Sequence, residues 1–150
     1  MWQKSMILLK VSRPPLWIAL PLVFCLGLAY GKHGLTNPIF HFTPLLILQM
    51  VMLSFPLCLL TFGLNDIHDY ESDKINPRKR GMEGIFLPAQ YHKLVGRTAL
   101  AAAVVFFAVS LATLSPPNVF FTMTLLVLSY VYSTPPWRLK TKPPLDAVVA

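Results

Sequence analysis

Three stretches of this sequence carry no charged side chain: residues 14–31, 42–64 and 98–137. The third is interrupted by Ser115-Pro116-Pro117-Asn118, which divides it into two helix-sized pieces. A helix needs about 20 apolar residues to cross the hydrocarbon core of a bilayer. The pattern therefore predicts an all-α integral membrane bundle with about four transmembrane helices, at roughly 14–33, 43–64, 95–115 and 118–134. Composition agrees, because 13% of the residues are charged against about 25% in soluble domains. Such a chain has too much apolar surface to hide from water by itself. Pro44 fits the first turn of the second helix, where its missing N–H costs nothing. Pro21 and Pro56 fall within predicted spans and are expected to kink them, which membrane helices tolerate when neighbours satisfy the freed carbonyls.

The formal net charge is +7, which in a soluble protein would suggest nucleic acid. Here the basic residues flank apolar segments, so nucleic acid is excluded and anionic membrane lipid or a phosphorylated substrate is the expected partner. Four even crossings place Lys4, Lys10, Arg13, Lys74, Arg78, Lys79, Arg80, Lys93, Arg97, Arg138, Lys140 and Lys142 on one side and Lys32 on the other, twelve of thirteen basic residues on one face. The positive-inside rule then puts both termini and the long 65–94 loop in the cytosol. An N-terminal signal peptide is rejected, because three more apolar segments follow and no small-residue cleavage site is evident. Cys25 and Cys58 lie inside apolar runs and read as small buried hydrophobes rather than ligands or disulfide partners. The four histidines do not form a metal-ligand set and read as interfacial polar residues.

The end of the second helix reads Asn65-Asp66-Ile67-His68-Asp69-Tyr70-Glu71-Ser72-Asp73, which holds four of the chain's six acidic residues. If the helix continues, each residue turns roughly 100°, so relative to Asn65 the side chains of Asp69, Asp73 and Asp66 lie at about 40°, 80° and 100°. Glu71 points elsewhere. Carboxylates crowded on one face repel one another, and at the edge of a membrane they need a cation. Mg²⁺ takes hard oxygen ligands and shares them with phosphate. The competing reading is a solvated acidic patch neutralised by the basic residues that follow. Those residues, Asn76-Pro77-Arg78-Lys79-Arg80, suit a cytosolic anchor and equally a phosphate grip. After the fourth helix, Tyr132-Ser133-Thr134-Pro135-Pro136-Trp137-Arg138-Leu139-Lys140 emerges on the same face as the aspartates. Arg138 and Lys140 could contact a diphosphate there. Tyr132 could join them or line an acceptor pocket, or belong to an interfacial aromatic belt.

At these residues the sequence resembles the UbiA family of intramembrane prenyltransferases. Asn65, Asp66, Asp69 and Asp73 match the family's NDxxDxxxD signature, and Tyr132 to Lys140 match its Tyr-Ser-x-Pro-Pro-x-Arg-Leu-Lys stretch. The surrounding NDIHDYESDKINPRKRGMEG looks like the branch that includes lycopene elongases and related carotenoid-type members. The resemblance implies Mg²⁺-dependent transfer of a prenyl group from a polyprenyl diphosphate to an electron-rich hydrophobic acceptor. It implies Mg²⁺ held by Asn65, Asp69 and Asp73, with catalytic roles for Asp66, Asp69 and Asp73. Substrate contacts would come from Asn65, Arg78, Lys79, Tyr132, Arg138 and Lys140. Aromatic acids, quinone precursors, polyenes and tetrapyrroles all serve the wider family as acceptors.

Family members carry about nine helices and a second, DxxxD-type motif. Here Asp146 is the only acidic residue beyond Glu83, so the expectation is a single UbiA-like domain over 1–150 that is truncated at its C-terminus. The alternative is a non-catalytic membrane protein that binds a diphosphate lipid or pairs with a partner chain, including a homodimer that sets two Asp69/Asp73 faces across one cavity. The predicted topology is open to cysteine labelling in sealed membranes. A cysteine beside Lys32 should react from outside and one beside Gly81 from the cytosol; the reverse pattern would overturn it.

Overall fold

The computed structural model describes residues 2–33, 43–76 and 85–144, and these are helical with no strand among them. Seven α-helices follow in order: α1 (Trp2–Val11), α2 (Ala19–His33), α3 (Pro44–Leu53), α4 (Phe55–His68), α5 (Tyr70–Lys74), α6 (His92–Ala112) and α7 (Pro116–Ser133). Two helical stretches are each long and apolar enough to cross a membrane, Pro44–His68 with mean hydropathy 2.3 and Ala89–Ala112 with 2.0. A third crossing results if α1 and Pro14–Tyr30, which meet at 50°, form one broken span. The fourth expected span is the helix α7. It opens on Pro116-Pro117-Asn118 and closes on Tyr130, Tyr132 and Ser133, and it is not among the helices that are long and apolar enough to cross by themselves.

Proline and glycine chemistry explains the boundaries. Pro44 is at the start of α3, and the Thr43 hydroxyl caps it by accepting from Leu46 N at 3.2 Å. This is the usual N-cap arrangement. The Pro44–His68 span breaks at Ser54 (φ −87, ψ −112), two residues before Pro56. Pro56 has no N–H to offer the carbonyl one turn earlier, so the expected kink is present. Pro21 differs from expectation. The segment predicted as one helix over 14–33 starts with a short 3₁₀ turn, Pro14–Leu16, and α2 begins only at Ala19. Pro21 thus falls in the first turn of α2, where the backbone N–H groups have no intrahelical partner to lose, and it bends nothing. The turn comes instead at Arg13, whose φ of 53 and ψ of 73 are left-handed.

Helix α4 is the central element, packed by α1, α3, α6 and α7. Val11, Leu59, Leu60, Leu64, Val95, Ala99 and Phe106 form its buried core. The closest approach is at Gly63, where an added Cβ would lie 2.8 Å from Val95 Cγ1 and 3.6 Å from Val11 Cγ1. A missing side chain here lets three helices meet, as small residues do between membrane helices. Outward faces of α6 and α7 carry Val104, Phe120 and Phe121, all well exposed. That distribution is ordinary in hydrocarbon, where lipid tails are as apolar as the side chains they touch.

A substitution at Gly63 should show this packing. Gly63→Val overfills the junction and should destabilise the bundle by about 1–3 kcal/mol, read as a lower thermal unfolding midpoint in detergent. Gly63→Ala combined with Val95→Ala should restore most of it. An unchanged midpoint for Gly63→Val would mean the three helices do not meet at this point.

Candidate functional site

The apolar run of α4 ends at Leu64, but the helix does not. Asp69 N donates to Asn65 O at 2.9 Å and Asp73 N to Asp69 O at 2.8 Å, so helical bonding carries through to α5 with a slight opening at Asp69 (φ −95, ψ 5). The loop expected from residue 65 therefore starts later. Helical turns, stabilised by this backbone bonding, run to Lys74. Arg78 and Lys79 lie outside the described residues.

Two of the four motif residues are brought to one point. Lys140 Nζ donates to Asn65 Oδ1 at 2.8 Å and to Asp69 Oδ2 at 2.5 Å. Arg138 Nη2 donates to the other Asp69 oxygen at 3.0 Å. Ser133 Oγ donates to Asn65 Oδ1 at 3.3 Å. Asn65 in the last turn of α4 and Asp69, which caps that helix, are four residues apart and so share a face. Arg138 and Lys140 follow the end of α7, where the chain turns through a left-handed Arg138 (φ 38) into the short turn Leu139–Thr141. The segments Asn65–Asp69 and Ser133–Lys140 are thus joined by charge-assisted hydrogen bonds, the stronger kind.

Asp66 turns away from that cluster. It is buried, and Arg13 Nη2 approaches Asp66 Oδ1 at 3.4 Å. The Arg13 guanidinium also lies over the Phe62 ring, 4.3 Å from its centroid. The expectation that Asp66 shares one face with Asn65, Asp69 and Asp73 is corrected here: Arg13, arriving from the N-terminal segment, claims it. Asp73 is also buried. Glu71 points outward, as the wheel implied, and pairs with Lys74 at 2.9 Å; the hydrogen bond and charge of Glu71 push the Lys74 pKa up. Tyr70 stacks on Phe86 at 5.3 Å and meets the His92 ring edge-on at 4.9 Å. His92 also reaches Leu87 O at 3.2 Å, so it fastens the segment before α6 rather than serving the cluster. Tyr132 is half-buried, and it is the adjacent Ser133 that touches Asn65.

Among the described residues no three His, Cys, Asp or Glu side chains converge as a ready metal cage. What the site offers is an amide oxygen and a carboxylate close enough for one ammonium to touch both. Mg²⁺ usually takes one or two carboxylates from protein and completes its shell with phosphate and water. The hard oxygens of Asn65 and Asp69 fit that share, and Arg138 and Lys140 supply the cations a phosphate needs. Arg13 and Ser133 were not singled out in the sequence as site residues. Arg13 was legible only as a flanking charge. The motif stretch contained Ser133, but nothing distinguished it from Tyr132.

The sequence profile of the UbiA prenyltransferase family matches residues 18–150. Among curated proteins, a lycopene elongase/hydratase of Corynebacterium glutamicum is 36% identical over 152 residues, covering 100% of this chain and 50% of that protein. A lycopene elongase/hydratase of Haloarcula japonica is 31% identical over 141 residues, covering 94% of this chain and 46% of that protein. The chain thus spans about half the length of the curated relatives it matches. No solved structure gives a significant match.

The Arg13–Asp66 pair yields a prediction. Arg13→Ala removes the cation beside a buried carboxylate, which should cost about 1–3 kcal/mol. Asp66→Asn in the same background should recover part of that loss. The readout is the thermal midpoint in detergent. Equal midpoints for Arg13→Ala and the unaltered chain would show that the pair contributes nothing.

Proposed function

The chain belongs to the UbiA prenyltransferase family, and we propose that it serves the transfer of a prenyl group from a polyprenyl diphosphate to an electron-rich hydrophobic acceptor within the membrane. The observation that carries this reading is the cluster of Asn65, Asp69, Arg138 and Lys140 at the end of an apolar helix. It pairs hard-oxygen donors with two cations just past the point where the apolar run of α4 ends. An allylic diphosphate laid there has its charged group at the cluster and its tail among apolar helices. The names of the relatives favour a polyene acceptor of the lycopene type.

The chemistry asked of the site is ionisation. The allylic C–O bond breaks, and the departing diphosphate keeps the electron pair. A carbon–carbon π bond of the acceptor attacks the allylic carbon, and a proton leaves the adduct. Bound Mg²⁺, held by Asn65, Asp69 and Asp73, would supply Lewis-acid stabilisation of the leaving group. Arg138 and Lys140 bind and orient the diphosphate and offset its growing charge. Asp66 stands behind them, fixed by Arg13. Burial among apolar helices keeps water from the cation. The distribution of basic residues supports a cytosolic position for this end of the bundle.

The test is binding of a radiolabelled prenyl diphosphate to the 150-residue chain in detergent, with and without Mg²⁺. Asp69→Ala should abolish Mg²⁺-dependent binding and leave membrane insertion intact. Binding that persists unchanged in the variant would remove Asp69 from the site. Binding without turnover of any polyene acceptor would favour the reading of a diphosphate-binding half-site.

A further inference from the structure

We propose that the Lys140 ammonium is the resident counter-ion of the Asn65 and Asp69 oxygens, and that it bars a free divalent cation from them until a diphosphate draws it away. Metal and diphosphate would then enter together. The inference deepens the function proposed above and rests on it.

Three observations lead here. First, Lys140 Nζ contacts oxygens of two of the three residues proposed to hold the metal, at 2.8 Å from Asn65 Oδ1 and 2.5 Å from Asp69 Oδ2. An ion cannot share that seat. Second, the other Asp69 oxygen is taken by Arg138 at 3.0 Å, so both carboxylate oxygens are engaged. Two positive charges already face the one carboxylate, and a bare Mg²⁺ would arrive against their repulsion. Mg²⁺ also gives up its water reluctantly, so weak attraction does not capture it. Third, the side chains of Lys140 and Asp69 are 13% and 19% exposed. Limited water leaves their attraction less screened than at an open surface.

A diphosphate reverses the balance. Its negative charge offers the ammonium and the guanidinium new partners, and it brings oxygens of its own for the metal. Lysine suits the exchange, because its ammonium is a point charge on a flexible four-carbon stem. Lys140 stands on a short turn beyond α7 rather than within the helix, so its side chain can move without disturbing α7. The consequence is an order of events. Metal alone is kept out, and the site is not left as an open trap for divalent ions at the membrane surface.

The competing explanation is that Lys140 and Asp69 form only a structural clamp. Titration with Mn²⁺, followed by loss of the free-ion electron paramagnetic resonance signal, separates the two on the full chain in detergent. Without diphosphate the unaltered chain should bind Mn²⁺ weakly. Lys140→Gln and Lys140→Met should each bind it at least about tenfold tighter, about 1.4 kcal/mol, and Lys140→Arg should remain weak. Adding Asp69→Asn should remove the gained binding. With geranyl diphosphate present, the unaltered chain should bind Mn²⁺ in an Asp69-dependent manner. Thermal midpoints identify which of the two neutral variants is folded and carries the comparison.

The proposal is overturned if the folded neutral variant binds Mn²⁺ no tighter than the unaltered chain. It is also overturned if the unaltered chain binds Mn²⁺ alone as tightly as with geranyl diphosphate, a result that needs no variant. In both cases Asp69-dependent binding with geranyl diphosphate would leave the proposed function standing. Absence of that binding in every chain would remove the metal site itself, and this inference with it.

Discussion

Carboxylates at the end of a membrane-spanning helix have to be met by cations, and much of this fold follows from how that is done. Helix α4 cannot supply its own, since it contains no Lys or Arg. Arg13 arrives from the N-terminal segment to Asp66, and Arg138 and Lys140 arrive from beyond α7 to Asp69. The two arginines are both in the left-handed region, with φ of 53 and 38. Non-glycine residues adopt that region at a cost, and they keep it where surrounding contacts over-determine it. Both arginines pair with an aspartate of the motif, whereas Leu114, the third such residue among those described, is exposed and apolar. Each arginine lies where the chain changes direction: Arg13 before Pro14-Pro15, and Arg138 after Pro135-Pro136. Charge compensation thus coincides with a change of chain direction at both arginines.

Uncharged runs were enough for the four apolar spans and angular spacing for the motif, whereas α1, which carries Lys4 and Lys10, lies outside every uncharged run. Uncharged runs mark α2, α3–α4, α6 and α7, because hydrocarbon admits little else. Pro44 and Pro56 announce a helix start and a break through a missing N–H, which is a local property. Pro21 misled because its effect depends on where α2 begins. That start is set by the Arg13 turn and two further prolines, not by apolarity. The Asn65/Asp69 face could be read from angular spacing alone. The destination of Asp66 could not, since a wheel gives direction without saying which helix stands there. Ser133 over Tyr132 is the same kind of miss, one residue and one helical step apart. The packing of α1 was hidden for another reason. Its Val11 meets Gly63, and a glycine in an apolar run gives no sign of what approaches it.

The two ends of the bundle are fastened differently, and the difference bears on how the site could work. Gln49 and Asn118 exchange two amide hydrogen bonds, at 2.6 and 3.0 Å. At the other end Asn65 meets Ser133 and Lys140. Gln49 to Asn65 spans roughly 24 Å of helix and Asn118 to Ser133 roughly 22 Å, at 1.5 Å per residue. The contacts pair the chain in the same order, so α7 runs parallel to α3–α4 in matched register. α6 provides the return. The far fastening is neutral and two-way, so no ligand competes for it electrostatically. The near fastening is ionic, and on the proposed function its cations are the groups that a diphosphate would claim. If Lys140 and Arg138 transfer to a ligand, α7 is still held by the Gln49–Asn118 pair and by the buried side chains of Phe106 and Leu126. A bundle fastened by ions at both ends would risk losing its register each time the site filled. Placing the exchangeable contacts at one end and the permanent ones at the other lets binding rearrange side chains while the helices stay put.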